Sequence, residues 1–182
     1  MEKLEKERKF LVKFPKSWSS LSEMFDNLVD VKRISQTYLT SLKGEQAARV
    51  RKTVQGLTGD TDTVYHFNQK EPVEPGVHKE KEKEISKAIY EKLLTKANED
   101  KVPIEKTRFV FEYHDQLFEL DVFKGALKGM AVLEIELEDI NDKVEIPSFL
   151  KVIKEVTEDK RFSNFNLANK ELHEEIRGRL DI

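Results

Sequence analysis

The chain has 182 residues, no cysteine, 38% hydrophobic and 37% charged residues, and a net charge of only −3. That length fits one domain over 1–182. It excludes disulfides, thiolate metal sites and cysteine nucleophiles, and the near balance of charge argues against an extended nucleic-acid surface, which is usually clearly basic. The opening MEKLEKERKF carries no apolar signal core and no run is long enough to span a membrane, so a cytoplasmic protein is expected.

Apolar residues recur at strand spacing in some stretches and at helix spacing in others. Residues 4–12 read as a strand. Pro15 and Ser17 then open a predicted helix with Trp18, Leu21, Met24, Phe25, Leu28 and Val29 on one face. Strands are predicted over 31–41 and 46–55, with a turn near Gly44, and over 63–70 after the turn GLTGD at 56–60. The prolines and glycine of EPVEPGV predict a loop over 71–77. A charged strand over 79–85 leads into a helix from Ser86 to Asn98. Strands follow at 104–114, 117–124 and 131–138. Pro147 and Ser148 predict a helix running to Val156, and a last helix starts at Asn166, with Leu167, Leu172, Ile176 and Leu180 as its apolar positions. The sum is an α+β chain dominated by antiparallel sheet.

Residues two apart on a strand share a face. By that rule Glu5, Glu7 and Lys9 lie together, as do Arg49 and Arg51, and His66, Asn68 and Lys70. So do Glu80, Glu82 and Glu84, Lys106 and Arg108, Glu119 and Asp121, and Glu134, Glu136 and Glu138. The opposite faces of the later strands are apolar: Phe109 and Phe111, then Phe118, Leu120 and Val122, then Leu133, Ile135 and Leu137. A sheet with one solvated face would explain charged residues. It would not explain their segregation by sign, because like charges held side by side repel. Clustered carboxylates become favourable around a divalent cation, and clustered Arg and Lys around phosphate. Eight strands also suit closure into a barrel. Apolar faces outward and charged faces inward would make a tunnel that selects an anion carrying its own metal.

The ordered motifs then carry a resemblance that covers nearly the whole chain. EKERKFLV at 5–12 holds an ExExK pattern. It is followed by QTYL at 36–39, ARVRK at 48–52, Lys70, EKEKE at 80–84 and EKTR at 105–108. ELDVF at 119–123, VLEIEL at 132–137 and VTEDKRFSN at 156–164 complete the series. In this order the chain resembles the CYTH, or triphosphate tunnel metalloenzyme, family, and most of all its compact bacterial inorganic triphosphatases.

The resemblance implies a closed eight-stranded antiparallel β-barrel with helices packed outside and hydrolysis of a triphosphate with Mg or Mn. Glu5, Glu7, Asp121, Glu134 and Glu136 match the metal-site acids, and Glu5, Glu7, Lys9, Glu134 and Glu136 the catalytic set. Lys9, Arg49, Arg51, Lys70, Lys106 and Arg108 match the phosphate-binding cations, with Glu82 beside them. Two features depart from the pattern: the proline-rich stretch after Lys70, and Lys81 and Lys83 where relatives are often apolar, which predicts an exposed outer face there. His66 faces the expected lumen, whereas His78, His114 and His173 match no ligand spacing. Tyr38 suits either the lumen or packing, and Lys160 and Arg161 either a tunnel end or the surface. A small-molecule triphosphate is the expected partner, inorganic triphosphate first, thiamine or nucleoside triphosphate next. A class IV adenylate cyclase would need a base-recognition site that nothing signals, and a non-catalytic polyphosphate-binding module would need no acidic pairs. No motif specifies an oligomeric state.

Overall fold

The computed structural model describes residues 2–13, 17–40, 48–56 and 62–172. Nine strands run in chain order: β1 Glu2–Lys13, β2 Leu28–Tyr38, β3 Ala48–Gln55, β4 Thr63–Glu74, β5 Val77–Ile85, β6 Ile104–Tyr113, β7 Gln116–Phe123, β8 Ala131–Glu136 and β9 Lys151–Glu155. Among the described residues there are also three short α-helices: α1 Ser22–Asp26, α2 Lys87–Leu94 and α3 Asn164–Leu167. The sheet order is β5-β4-β3-β2-β6-β7-β8-β1-β9, all antiparallel, and β5 also pairs with β1. That last pairing closes strands β1–β8 into a barrel and leaves β9 outside it.

Closure depends on β1 serving two neighbours in turn on one of its edges. Its first half, Glu2 to Lys6, pairs with β5, and Phe10 to Lys13 pairs with β9. Between them sits Gly76, whose carbonyl accepts a 2.8 Å hydrogen bond from the Glu7 amide. Gly76 has φ +74, and a Cβ there would meet the Glu7 carbonyl at 2.8 Å and Thr157 Cγ2 at 2.9 Å. Only glycine combines that backbone with so close an approach.

The apolar core lies outside the barrel. Phe109, Phe111, Phe118, Leu120, Leu133 and Ile135 project outward and pack with Leu21 and Met24 of the α1 region and with Leu150 near β9. Phe111 and Phe118 stack at 5.8 Å, both fully buried; burying each contributes about 1.5–3 kcal/mol. Behind β3–β5 the cover is thinner. Helix α2 lays Tyr90 against Tyr65 at 4.8 Å over a small cluster with Leu39 and Val50. Ser86 caps that helix by accepting from the Ile89 amide, but the helix ends at Leu94, short of the expected Asn98. Lys81 and Lys83 are exposed, as the sequence predicted.

Three further expectations change. The first predicted helix stops at Asp26, and Leu28 and Val29 begin β2. Asn27 closes the helix by donating to the Glu23 carbonyl at 2.9 Å, and the β-branched Val29, Val31 and Ile34 favour the strand. The side chain of Trp18 lies outside the described residues. The predicted loop at 71–77 is mostly strand: β4 runs to Glu74, and Pro75 and Gly76 make a tight turn. Proline is tolerated there because Pro72 sits at the hairpin end. The predicted helix at 147–156 is a turn and then β9, drawn into extension by the β1 edge that β5 leaves unpaired. The turn near Gly44, most of the turn at 56–60, the last helix beyond Leu172 and His173 lie outside the described residues.

Candidate active site

Strand alternation turns the charged faces inward. They line a cavity of about 660 Å³ to which seven carboxylates and seven cations contribute, among the described residues. Of the residues expected at the site, all but Asp121 line this lumen; Asp121 is fully buried and paired with Lys106 and Arg108. Fourteen positions of balanced sign therefore share one enclosed space, and the pairing pattern decides what the space can do.

On the β1–β8–β7–β6 side the charges satisfy one another. Lys9 Nζ lies 2.9 Å from Glu134 and 3.3 Å from Glu7. Lys70 reaches from β4 to Glu5 at 2.7 Å and Glu7 at 3.0 Å, so the hairpin after it fixes its pairing. Arg108 donates to both oxygens of Asp121 at 2.7 Å, to Glu134 at 2.6 Å, and to Glu119. Asp121 is fully buried and also accepts from Lys106. Glu136 stands opposite Glu7 and is exposed at the rim, whereas Glu138 falls past the end of β8 and outside the lumen lining.

These pairs set the protonation states. Burial pushes the Glu7 carboxyl up, but Lys9 and Lys70 outweigh it and hold it at about 2. Burial likewise opposes ionisation of Glu134, and Lys9 and Arg108 override it, leaving the carboxyl well below its usual range. Lys9 is held above its usual range against burial by Glu134 and Glu7. All three are charged at neutral pH.

The β3–β4–β5 side is less complete. Arg49 donates to Glu80 at 3.1 Å, Arg51 to Glu82, and Asn68 to Glu82 at 3.0 Å and to Glu80. Yet Nε of Arg49 and of Arg51, Nδ1 of His66 and Oδ1 of Asn68 are buried without a hydrogen-bond partner. The Nε–H groups of Arg49 and Arg51 are donors, costly when left unpaired and suited to an anion, whereas Asn68 Oδ1 is an acceptor. Burial and neighbouring Arg49 both lower the Arg51 pKa, the signature of stacked cations without enough counter-charge.

At one end the same inward faces become apolar. Leu11, Tyr38, Ile104, Phe123 and Val132 follow the charged positions in register and pack with Leu127, Met130, Val156 and Leu167. Tyr38 is buried in this floor, and its hydroxyl accepts from Gln36 at 3.1 Å. Residues 156–168 run beneath it: the Val156 amide donates to the Lys9 carbonyl at 2.8 Å, and the Val102 amide donates to the Ala168 carbonyl at 2.8 Å. Arg161 is held by Asp159, and Lys160 is exposed. His78 is half-buried, 3.7 Å from Glu7; burial and Lys70 lower its pKa to about 4, so it is neutral at pH 7. His114 lies exposed in the β6–β7 turn, stacked on Tyr113.

Sequence reasoning left Lys32, Gln36, Glu80, Glu119 and Asn164 without a site role, although all line the cavity. Alternation with their neighbours places Glu80 and Glu119 inward, a signal available in the sequence. Lys32 and Gln36 flank Ile34, which hides the charged face. Asn164 arrives through the crossing of 156–168, for which no local pattern exists.

Carboxylate oxygens suit a hard divalent ion. Glu5 and Glu7 on β1 and Glu134 and Glu136 on β8 offer such donors to one lumen. Among the described residues no three of them are gathered into a metal cluster, and Glu5, Glu7 and Glu134 are paired with cations. The donor chemistry fits such an ion.

The result is a closed antiparallel barrel with an apolar exterior and a lumen of paired carboxylates and cations. The CYTH domain family model matches residues 3–170, and the chain belongs to this family. It is 37% identical over 85 residues to an inorganic triphosphatase of Acetivibrio thermocellus, a stretch covering 43% of this chain and 53% of that protein. It is 44% identical over 68 residues to an inorganic triphosphatase of Nitrosomonas europaea, covering 36% of this chain and 44% of that protein. The chain thus spans about half the length of the curated relatives it matches. The crystal structure of the inorganic triphosphatase NE1496 superposes with a TM-score of 0.54 at 32% identity, covering 90% of this chain and 93% of that one. The PH1819 protein from Pyrococcus horikoshii, 18% identical with a TM-score of 0.54 over 74% and 79% of the two chains, shares the fold alone.

Proposed function

We propose that the protein hydrolyses a linear triphosphate in a metal-dependent reaction, with inorganic triphosphate as substrate and orthophosphate as product. One observation carries this reading: carboxylates on β1 and β8 and cations on β3 and β6 face each other across a single closed lumen. Among the described lining residues there is no Phe, Tyr or Trp to stack on a base or a thiazole ring. That supports the inorganic substrate over nucleoside or thiamine triphosphate. The acidic pairs on β1 and β8 support catalysis over mere polyphosphate binding.

Glu5, Glu7, Glu134 and Glu136 would hold Mg or Mn. Bound there, the ion would polarise a phosphoryl oxygen and lower the pKa of a coordinated water. Asp121 enters this set by family resemblance; its pairing to Lys106 and Arg108 gives it a second role, aiming those two cations. Arg49, Arg51, Lys70, Lys106 and Arg108 hold the phosphates and neutralise charge spreading over the transferred group, while Glu82 orients Arg51. Water attacks the terminal phosphorus, the bridging P–O bond breaks, and pyrophosphate leaves. A lumen carboxylate takes the water proton.

Phosphate release from inorganic triphosphate, ATP and thiamine triphosphate, each with Mg, Mn or chelator, tests the reading. Metal-dependent release, fastest from inorganic triphosphate, is expected. Glu134→Ala should abolish it, and full activity in that variant would refute the metal assignment.

A further inference from the structure

The carboxylates that would bind metal and the cations that would bind phosphate are, in this structure, bound to each other. Lys70 bridges Glu5 and Glu7 at 2.7 and 3.0 Å. Lys9 bridges Glu7 and Glu134 at 3.3 and 2.9 Å. Arg108 takes Glu134 at 2.6 Å. Glu5, Glu7 and Glu134 are thus held by lysine or arginine, and among the described residues no three ligating side chains are gathered for an ion.

Charge arithmetic gives this arrangement a consequence. Among the described residues the lining carries seven carboxylates and seven cations, so their charges balance. An ion entering alone must pull Glu7 and Glu134 from Lys9, Lys70 and Arg108, leaving buried cations unpaired. A triphosphate entering alone must pull the same cations from the same glutamates, leaving buried carboxylates unpaired. Uncompensated buried charge is expensive in either case. When both enter, each takes the partners that the other releases, and every group is paired again.

We infer that Lys70 and Lys9 act as internal counter-ions of the metal site, so that metal and triphosphate bind with positive coupling through an exchange of ion pairs. The inference rests on the reading of the site proposed above. It assigns the two lysines a role apart from phosphate contact: they keep the carboxylates from capturing a free cation, and the lumen from retaining a free anion. Coupling of this kind is reciprocal and commonly amounts to about 5–150-fold.

Two binding measurements test it without turnover. The first is Mn²⁺ binding without any phosphate, followed by the electron paramagnetic resonance signal of the free ion. Lys70→Met should bind Mn²⁺ roughly tenfold more tightly than the unaltered protein, within that coupling range. Lys32→Met controls for charge alone: Lys32 lines the same cavity but pairs with Asp30 at 3.4 Å, and its loss should change Mn²⁺ affinity much less. The second is calorimetric titration with tripolyphosphate in chelator. Glu7→Gln frees Lys9 and Lys70 in part and should bind metal-free tripolyphosphate more tightly than the unaltered protein. Circular dichroism and melting confirm that each variant is folded, and Lys9→Met replaces Lys70→Met if the latter is not. Equal or weaker Mn²⁺ binding by the lysine variant, equal tightening by Lys32→Met, or equal or weaker anion binding by Glu7→Gln would overturn the coupling. Failure of all the proteins to bind either Mn²⁺ or tripolyphosphate would overturn the reading of the site itself.

Discussion

On the half of the barrel built from β1, β6, β7 and β8, buried carboxylates and cations are matched, and a thick layer of phenylalanine and leucine lies behind them. On the half built from β3, β4 and β5, Arg49, Arg51, His66 and Asn68 keep buried polar atoms without partners, and the outer face carries exposed Lys81 and Lys83 beside the short cover of α2. The first half uses its charges to hold its own geometry. The second keeps the Nε donors of Arg49 and Arg51 in reserve. Both follow from strand alternation, so the difference lies in counter-charge: Arg108 meets Asp121, Glu119 and Glu134, while Arg51 meets Glu82.

The strongest way to break this contrast is at Asp121. Asp121→Asn leaves Lys106 and Arg108 buried with too little counter-charge, and breaking a buried pair costs about 3–5 kcal/mol. Urea unfolding in chelator should show that loss in full. If Asp121 serves as a metal ligand alone, stability in chelator will hold and only metal-dependent turnover will fall. Arg51→Ala should behave the other way. Unfolding midpoints should barely move, whereas loss of a charge-assisted hydrogen bond to phosphate, about 1.5–3 kcal/mol, should raise KM for triphosphate roughly ten- to a hundredfold. Steady-state kinetics beside melting curves separate the two halves.

Gly76 sharpens the comparison at the seam where the halves meet. Gly76→Ala places a methyl group against the Glu7 carbonyl and Thr157 in a backbone conformation with φ +74. Overpacking of this kind costs about 1–3 kcal/mol. Because the displaced backbone belongs to Glu7, the melting temperature should fall together with metal-dependent activity.

The barrel was legible in the sequence where the period of two is clean. EKERKFLV, ARVRK, ELDVF and VLEIEL each show which residues face in and which face out, and those assignments stand. Legibility failed where a partner far along the chain decides. Residues 151–155 are extended because the second half of β1 has a free edge, which no local pattern reveals. Leu28 and Val29 fit a helical face as well as a strand, and pairing with Phe111 at the start of β2 selects the strand. At the site, residue type and alternation located the charges but not their bonds. The double pairing of Asp121 and the reach of Lys70 past β5 to Glu5 and Glu7 are products of barrel closure.

The smallest expected effect is a pH dependence that tests how firmly the matched half holds its charge. Glu7 has a folded pKa of about 2, below the ordinary carboxylate value of 4.5. The unfolded chain therefore binds more protons than the folded one between those values, and stability falls as pH drops from 4.5 toward 2. Glu134, also depressed, adds to the same slope. Above pH 4.5 both contributions are fully present, and neither changes toward neutrality. In metal-free protein, Glu7→Gln removes one of these titrations. Its urea midpoint should be lower than that of the unaltered protein at pH 6, and the gap should narrow by pH 3. A gap that stays constant across that range would mean that Lys9 and Lys70 do not hold Glu7 ionised, and the matched half would then be no better paired than the β3–β5 half.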